Sequence, residues 1–412
     1  MKCVITDQII LSRAPEGPLS VYVGPFAEFL SAQGYALRSI HRQVHLAACF
    51  SQWLQRKGMA LPHMTADHAK QYLQDRARQV KPHPGDAAAL QHVMGFLHHA
   101  GVVPAETVPV RRLTPAECWT QQYEQHLREV RGLAETTIVN YVPFIDRFLK
   151  DRFADGPATL SCLRARDVVR FVQRQAPRLH RQRAKLMTSA LRSFLRYAQY
   201  RGEVGLELAA AVPVVANWSM PSIPRAISAD QVDQLLASID QRTAIGRRDY
   251  AIVLLLARLG LRSSEVVGLE LDDIDWNRAI LTVCGKGGLR HEFPLSPEVG
   301  QAIAAYLADG RPQSTSRRVF LRAKAPIRGF RSAGGVGSIV RHALLRAGIE
   351  APTYGTHQFR HGLATDLLRH GASLSEIGEV LGHRHPQTTM IYTKVDLEAL
   401  RTLALPWPGG VQ

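Results

Sequence analysis

The sequence predicts a mainly α-helical, multidomain protein, with helical bundles in its N-terminal half and a mostly helical α+β domain with a small antiparallel sheet after them. Apolar residues recur at helical spacing through the first two hundred residues. The same pattern returns after about a hundred positions, and a strand–turn–strand pattern lies in the last third. We therefore predict three domains, over residues 1–110, 111–220 and 221–412.

Composition indicates a globular protein with an anionic partner. The 412 residues are 46% hydrophobic and 21% charged, as in ordinary soluble proteins. Fifty-one basic residues against 35 acidic ones give a net charge of +16, which favours nucleic acid first and a membrane surface second. A basic surface with no such partner is the alternative.

The cysteines and the apolar segments indicate in which cellular compartment the protein is expected. The five cysteines are scattered and form no CxxC pair, so they indicate neither a zinc site nor a disulfide framework. That usage fits a reducing cytosol. The longest apolar run, 251–257, is far too short to span a bilayer, and the N-terminus lacks a signal pattern. We expect a cytoplasmic protein, associated with the nucleoid when bound to DNA and with no membrane partner.

The first domain is predicted to be a four-helix module. Helical apolar spacing is interrupted at Gly34, Gly58 and Gly101, and glycine commonly follows the last residue of a helix. Thr65 is the predicted start of the third helix, and a loop rich in Pro and Gly over 82–85 precedes the fourth.

The second domain repeats this plan. Apolar residues recur in register at an offset of 98: Ile40 and Ile138, Phe50 and Phe148, Phe96 and Phe194. Residues 160–172 mirror 61–73 with one residue added. We interpret the two as a tandem duplication of one module. Two unrelated amphipathic bundles would be the alternative.

Charge separates the two copies. Residues 1–110 hold 10 basic and 7 acidic residues, whereas 111–220 hold 18 and 10. In the second copy four arginines recur at every fourth position, which predicts a stripe on one helical face. Such like charges repel each other, and DNA phosphates would neutralise them. A solvated face with acidic partners elsewhere is the alternative. The predicted DNA-binding residues are Arg166, Arg170, Arg174, Arg178, Arg181, Arg183 and Lys185.

The last domain follows a linker with two prolines over 217–224. Ser228 is a predicted N-cap, and Gln231 completes its capping box. A nearly all-apolar helix over 249–259 then ends at Gly260. Arg262 comes directly after this buried helix and is therefore expected on a rigid base. Glu265, three residues on, is expected to orient Arg262 or to cap the next helix.

A hairpin is predicted next. The pattern predicts a strand over residues 279–283, then a glycine-rich turn, and a returning strand over residues 290–295. Lys286 is predicted at the tip of this hairpin. The Gly-Lys-Gly string lacks the spacing of a P-loop, so we reject nucleotide binding.

Polar residues near the end of the chain complete a candidate catalytic set. His357 and Arg360 stand three residues apart at a predicted helix N-terminus, itself a phosphate-binding feature. His383 follows a buried turn ended by Gly382, and Tyr392 comes nine residues later. The predicted catalytic residues are Arg262, Lys286, His357, Arg360, His383 and Tyr392. Two guanidinium groups, an ammonium, two imidazoles and a nucleophile suffice to cut and rejoin a phosphodiester without a metal.

This set, in this order, resembles the tyrosine recombinase (phage integrase) family. The resemblance covers residues 225–400, with Thr388 and Thr389 before the tyrosine as in that family. Residues 113–220 resemble the family's helical core-binding (SAM-like) domain less specifically. Many members carry only one such helical domain, so the additional copy predicted over residues 1–110 departs from the family's pattern. The resemblance implies a metal-independent, site-specific DNA recombinase or integrase.

The resemblance also implies a role for each residue. Tyr392 would attack a backbone phosphorus and form a 3′-phosphotyrosyl link, while Arg262 and Arg360 would hold the non-bridging oxygens. Lys286 would protonate the leaving 5′-oxygen. His357 would accept the tyrosine proton, and His383 would donate to a phosphate oxygen.

The implied partners are a double-stranded recombination site with inverted repeats and further copies of the chain. The apolar tail over 396–412 is expected to dock on a neighbouring protomer and to build a tetramer in the synapse. We expect no cofactor and no metal. The tandem modules favour integration or excision of a mobile element, with partner recombinases as a possibility suggested by the architecture. A catalytically inactive DNA-binding accessory protein and a type IB topoisomerase-like nicking-closing enzyme are the alternatives.

Overall fold

The computed structural model describes residues 3–6, 9–11, 14–104, 113–154, 156–205, 207–215, 226–285, 288–351, 353–383 and 386–395. It is mostly helical with a small antiparallel sheet, so the predicted fold class is confirmed. The chain divides into two compact units, residues 1–106 with 222–412 and residues 107–221. The division into three domains stays a prediction. The predictions for the linker over 217–224, for Lys286 and for the tail over 396–412 fall outside the described residues.

The N-terminal module begins with two short antiparallel strands, β1 (Cys3–Thr6) and β2 (Ile9–Leu11), where only helices were expected. Both strands are rich in β-branched residues, which favour extended backbone. Four helices follow: α1 (Val23–Ala32), α2 (Leu37–Arg56), α3 (Ala66–Ala77) and α4 (Asp86–His99). Their apolar faces form one core. Thr65 is the N-cap of α3, as predicted.

The second module has helices α5 (Pro115–Glu129), α6 (Glu135–Phe153), α7 (Ala165–Gln175) and α8 (Arg181–Tyr200). Its core is separate from that of the first module. A capping box between Thr114 and Glu117 fixes the start of α5.

Residues related by the repeat take equivalent places in the two modules. Ile40 and Ile138 are both 1% exposed, and Phe50 and Phe148 are both fully buried. Phe50 packs on Tyr72 at 5.0 Å between ring centroids, and Phe148 packs on Phe171 at 5.2 Å. Tyr72 and Phe171 stand 99 positions apart, as the one-residue addition requires. The shared packing supports the interpretation of a duplication.

The last region begins with α9 (Ala229–Ala237), α10 (Ala244–Arg258) and α11 (Ser263–Gly268). The antiparallel strands β3 (Ile274–Asp275), β4 (Ile280–Cys284) and β5 (Arg290–Pro294) form its sheet. Helices α12 (Pro297–Asp309), α13 (Gly334–Arg346), α14 (His357–Arg369), α15 (Leu374–Val380) and α16 (Pro386–Thr389) follow, then a 3₁₀ helix at Met390–Val395.

Local sequence signals explain where these elements begin and end. The side chain of Ser228 accepts a hydrogen bond from the backbone N–H of Gln231 at 3.2 Å, as the predicted capping box requires. Helix α10 is buried over Ala251–Ala257 and lies in the core of this region. Strand β4 starts one residue later than predicted, because Ala279 has a φ of +51° and cannot be extended.

Within the described residues, no helix is long and apolar enough to cross a membrane.

Candidate active site

Arg262 stands at the junction of α10 and α11. Gly260 turns the chain after α10 with a φ of +60°, a value that favours glycine. Glu265 then binds Arg262 twice, accepting from its backbone N–H at 2.8 Å and from Nη1 at 2.6 Å. The Glu265 side chain is 6% exposed and that of Arg262 is 28% exposed. Glu265 therefore both orients the arginine and caps α11, the two roles considered for it.

Arg360, one turn into α14, is buried and held by backbone oxygens. Its Nη1 donates to the carbonyl of Gly260 at 2.8 Å, and its Nη2 donates to the carbonyl of Leu381. Burial lowers the pKa of this guanidinium to about 10, and the positive charge of Arg262 acts in the same direction. Arg360 therefore joins the end of α10 to the end of α15 and keeps three further N–H donors for a ligand.

His357 is the first residue of α14. Its ring lies close enough to both arginines to feel their charges. Burial lowers the pKa of its imidazole, and the charges of Arg360 and Arg262 lower it further. His357 is consequently neutral at pH 7 in the DNA-free protein. A phosphate placed between the arginines would remove part of that repulsion.

Tyr392 lies in the 3₁₀ helix after α16 and is 1% exposed. It packs in a small apolar cluster with Ala364, Ile377 and Leu381. Burial raises the pKa of its phenol to about 12, although Arg360 and Arg262 oppose that rise. The tyrosine is therefore neutral and shielded from solvent in this state.

The hydroxyl of Tyr392 meets a histidine that the sequence argument did not select. Nδ1 of His361 lies 3.0 Å from Tyr392 Oη, with the ring centroids 5.7 Å apart and nearly edge to face. Burial lowers the pKa of His361, and His357 and Arg360 lower it further, so its neutral ring can accept the phenolic proton. His361 follows Arg360 in sequence, and its side chain meets the 3₁₀ helix that carries Tyr392.

His383 emerges just after α15, as predicted. Its backbone N–H donates to Gly378 at 2.8 Å, and its Nδ1 lies 2.8 Å from Oγ1 of Thr389. Burial lowers the pKa of His383 to about 4, and the positive charges of Arg360 and Arg262 act in the same direction. Thr389 is 2% exposed and thereby fixes the orientation of the imidazole.

A cavity of about 670 Å³ opens beside His383. The β4–β5 hairpin lines it through Leu289 and His291, and α15 forms the facing wall. A Cβ on Gly382 would lie 3.1 Å from Nε2 of His291, so this glycine lets the hairpin approach the site closely. His291 is half-buried, whereas its strand neighbours Arg290 and Glu292 are exposed, and the hydrophobic pattern alone gave no signal for it.

The structure brings together five of the six predicted catalytic residues: Arg262, His357, Arg360, His383 and Tyr392. The sixth, Lys286, lies outside the described residues. His361, Thr389 and His291 join the cluster. Within the described part of the chain, no group of three or more His, Cys, Asp and Glu side chains could hold a metal ion.

The predicted DNA-binding residues lie on the second module and are all exposed: Arg166, Arg170, Arg174, Arg178, Arg181, Arg183 and Lys185. The stripe differs from the prediction in two ways. Helix α7 ends at Gln175, so Arg178 lies on the next 3₁₀ turn; Pro177 disfavours continuation of the α-helix. Arg174 also forms an ion pair with Asp151 of α6, which the local sequence did not reveal.

The structure therefore clusters two arginines, three histidines and a tyrosine on the helical α+β region. Residues 225–398 match the phage integrase family, and residues 120–202 match the family's N-terminal SAM-like domain. The integrase/recombinase y4rA of Sinorhizobium fredii is 57% identical over 412 residues, 100% of both chains. Tyrosine recombinase XerD of Mycobacterium tuberculosis is 33% identical over 309 residues, 70% of this chain and 96% of that one. The chain belongs to the phage integrase, or tyrosine recombinase, family, whose members break and rejoin DNA.

Solved structures show the same fold. The XerH site-specific recombinase in its post-cleavage complex with a palindromic difH substrate aligns with a TM-score of 0.57 at 19% identity, over 70% of this chain and 84% of that chain. A λ integrase tetramer bound to a Holliday junction aligns with a TM-score of 0.52 at 16% identity, over 76% of this chain and 88% of that chain.

Proposed function

We propose that this chain is a site-specific DNA recombinase that cuts and rejoins DNA through a 3′-phosphotyrosyl intermediate at Tyr392, in the integration or excision of a mobile element. The observation that carries the proposal is the position of the Tyr392 hydroxyl. It lies against a neutral imidazole and within the electrostatic reach of two arginines. A buried core tyrosine would need no such surroundings.

The chemistry follows from these groups. The Tyr392 Oη forms a bond to phosphorus while the bond from phosphorus to the 5′-oxygen breaks. The phenolic proton passes to Nδ1 of His361, and Lys286 supplies a proton to the leaving 5′-oxygen. The reverse sequence, with a 5′-hydroxyl as nucleophile, rejoins the strand and releases the tyrosine.

His361 takes the role that the family resemblance gave to His357. Its Nδ1 is already at hydrogen-bond distance from Oη, which is the first requirement for a general base. His357, at the N-terminus of α14, is then available as a donor to the phosphate, as is His383.

The arginines stabilise the charge that grows on the non-bridging oxygens. Arg262 is oriented by Glu265, and Arg360 is fixed by two carbonyl oxygens, so neither needs to reorganise when the charge develops. Because Tyr392 is 1% exposed, attack requires its turn to shift so that the phosphate can reach Oη while Oη stays beside His361. We propose that docking of the tail over 396–412 on a neighbouring protomer controls that movement.

The exposed arginines of the second module would hold the duplex through its phosphates. Such contacts give affinity with little sequence preference, and they make binding depend strongly on salt. We propose inverted repeats as the binding site and a tetramer as the synapse. The tandem helical modules and the integrase relatives support a mobile-element role.

The first test uses a duplex with a nick next to the cleavage position, so that the leaving strand diffuses away and the covalent adduct accumulates. The DNA flanking the gene supplies candidate inverted repeats. The wild-type protein is expected to form an adduct in EDTA, and Tyr392→Phe is expected to form none. Tyr354→Phe is the control, because Tyr354 is exposed and belongs to the same region.

The alternatives give different outcomes in this assay. Absence of an adduct with the wild-type protein on every candidate repeat would support a DNA-binding accessory protein. An adduct without strand exchange between two duplexes would support a nicking-closing enzyme. Recombinant products that disappear with Tyr392→Phe support the recombinase.

A further inference from the structure

The two helical modules have separate cores that pack in the same way, but they differ in the face that carries the basic stripe. Helices α3 and α7 correspond at an offset of 99, as Tyr72 and Phe171 do. At that offset, the positions of Arg166, Arg170, Arg174 and Arg178 are occupied in the first module by Asp67, Gln71, Asp75 and Gln79. No basic residue of the stripe has a basic counterpart.

The start of the next helix shows the same difference. At the offset of 98 that relates Phe96 to Phe194, the counterparts of Arg181, Arg183 and Lys185 are His83, Gly85 and Ala87. All seven cations assigned to DNA in the second module are therefore replaced in the first by residues without a fixed positive charge. The first module therefore lacks the basic stripe at these positions, and Lys70 and Arg78 beside them are paired with Asp67 and Asp75.

The turn between α1 and α2 of the first module contacts Ile327 in the last region of the chain. The turn between α1 and α2 carries Gly34, with a φ of +77°. The backbone N–H of Ile327 donates to the carbonyl of Gln33 at 2.9 Å, and a Cβ on Gly34 would lie 2.5 Å from Cγ1 of Ile327. The equivalent glycine of the second module, Gly132, also has a positive φ, but a Cβ there would have nothing within 4 Å.

The partner of this turn is a basic loop between α12 and α13. Its two sides are joined by a hydrogen bond from Arg322 N–H to the carbonyl of Arg328 at 2.9 Å. A cavity of about 530 Å³ beside it is lined by four loop cations: Arg322, Lys324, Arg328 and Arg331. None of the carboxylates that the structure describes forms an ion pair with these four.

Tyr35, next to Gly34, faces the same loop. Its hydroxyl lies 3.3 Å from Nε2 of His92. Burial raises the pKa of this phenol, and the charges of Arg322 and Arg328 act against that rise. The turn thus contributes a backbone carbonyl, a glycine surface and a neutral aromatic ring to the loop, and no acidic group.

We propose that residues 33–35 of the N-terminal module are a docking surface for the loop over 322–328 of the same chain. The module serves to hold this loop and its cations in place, instead of binding DNA through the α3 face. The docking is independent of the proposed function. The consequence for DNA rests on it, because the proposed function assigns the phosphate contacts to the basic stripe of the second module.

The docking is tested by hydrogen exchange on the full-length, DNA-free protein with the variants Gly34→Ala and Gly132→Ala. Both variants place a side chain at a positive φ and should strain their modules similarly. Only Gly34→Ala also drives a Cβ into Ile327. The amide of Ile327 is expected to exchange at least about tenfold faster in Gly34→Ala, for a loss of about 1.4 kcal/mol of protection, and at the wild-type rate in Gly132→Ala.

Equal exchange of Ile327 in the wild-type protein and in Gly34→Ala would overturn the docking, as would equal acceleration by Gly132→Ala. Ile327→Ala covers the case in which Gly34→Ala unfolds the first module. It removes the side chain that covers Gly34, leaves the module intact, and is expected to speed exchange at position 327. Unchanged exchange in this variant would also overturn the proposal.

The DNA side is tested with residues at equivalent positions of the two modules, Arg170→Ala and Gln71→Ala. Arg170→Ala is expected to weaken binding and to reduce the slope of log K against log salt by about 1. Gln71→Ala is expected to change neither, and an equal loss would show that the α3 face binds DNA. An effect of neither variant, with the exchange result intact, would contradict the DNA role of the stripe and leave the docking standing.

Discussion

Arg360 and Arg170 are both proposed to meet DNA phosphates, yet their surroundings are opposite. Arg360 is 6% exposed and bonded to two backbone carbonyls, whereas Arg170 is exposed on α7. Placing a guanidinium in a buried site costs desolvation energy, which lowers the pKa of Arg360. In return its position is fixed before the phosphate arrives, and its interaction with that phosphate is weakly screened.

The difference separates chemistry from affinity. A fixed, buried cation can act on charge that exists only in the transition state, and so it affects the rate of cleavage. An exposed cation interacts with the ground-state duplex, is screened by salt and contributes to binding. Substitutions in the two regions should therefore change different measured quantities.

The largest effect is expected from Arg360→Ala. Loss of one preorganised donor set typically lowers a rate about 10²–10³-fold, and here it also removes two charged hydrogen bonds of about 1.5–3 kcal/mol each. Single-turnover cleavage of the nicked duplex measures the rate, and urea unfolding measures the stability. Arg369→Ala, at the exposed end of the same helix, is the control. A loss of DNA affinity with an unchanged cleavage rate would contradict the comparison.

A smaller effect on the same step is expected from His361→Gln. A general base contributes about 10²–10⁴-fold, and we expect the low end of that range because other groups near Tyr392 can supply part of the effect. The pKa of His361 is lowered by burial, so in the wild-type protein cleavage should persist down to a pH below 6.5 and then fall. The variant should be slow and should lose that acidic limb. His370→Gln is the matched exposed control. A wild-type pH profile in His361→Gln would return the role of base to His357.

The stripe should produce changes in binding alone. Arg170→Gln is expected to reduce the salt slope by about 1, whereas Arg174→Gln should reduce it less, because Arg174 is already paired with Asp151. Fluorescence anisotropy on a labelled repeat at several salt concentrations measures both. Equal slopes for the two variants would mean that the ion pair opens on DNA.

The smallest effect concerns stability in acid. The pKa of His383 is lowered to about 4, and those of His357 and His361 are lowered too, so each folded-state pKa lies below the unfolded value. The stability that these groups contribute is complete above pH 6.5 and is lost as the pH falls through their folded-state pKa values, which for His383 is about 4. Urea unfolding between pH 7.5 and 4.5 should show a shallower loss in His383→Gln than in the wild-type protein. Parallel curves would contradict this assignment.

Much of this architecture could be read from local sequence. Helical apolar spacing, glycines after helices and the capping box at Ser228 depend on near neighbours, and they hold in the structure. The 98-residue repeat was equally visible. The β1–β2 pair was missed because its strands have only four and three residues.

The site was predictable only in part, for a physical reason. The arginines, histidines and tyrosine stand in recognisable strings, but contacts across the chain have no local signal. The approach of His361 to Tyr392, the pairing of Arg174 with Asp151 and the position of His291 against Gly382 all depend on packing between distant segments.

The two carbonyl contacts of Arg360 limit which parts of the catalytic region can move. The arginine connects the end of α10 and the end of α15 to α14, so these three segments behave as one rigid unit. Tyr392 lies beyond the last tied residue, Leu381. A shift that opens the phenol to DNA can therefore begin after α15 and keep Oη beside His361, while the phosphate-binding guanidinium stays still. Tyr392 would then be the residue that moves during cleavage, whereas the guanidinium that binds the phosphate is already in position.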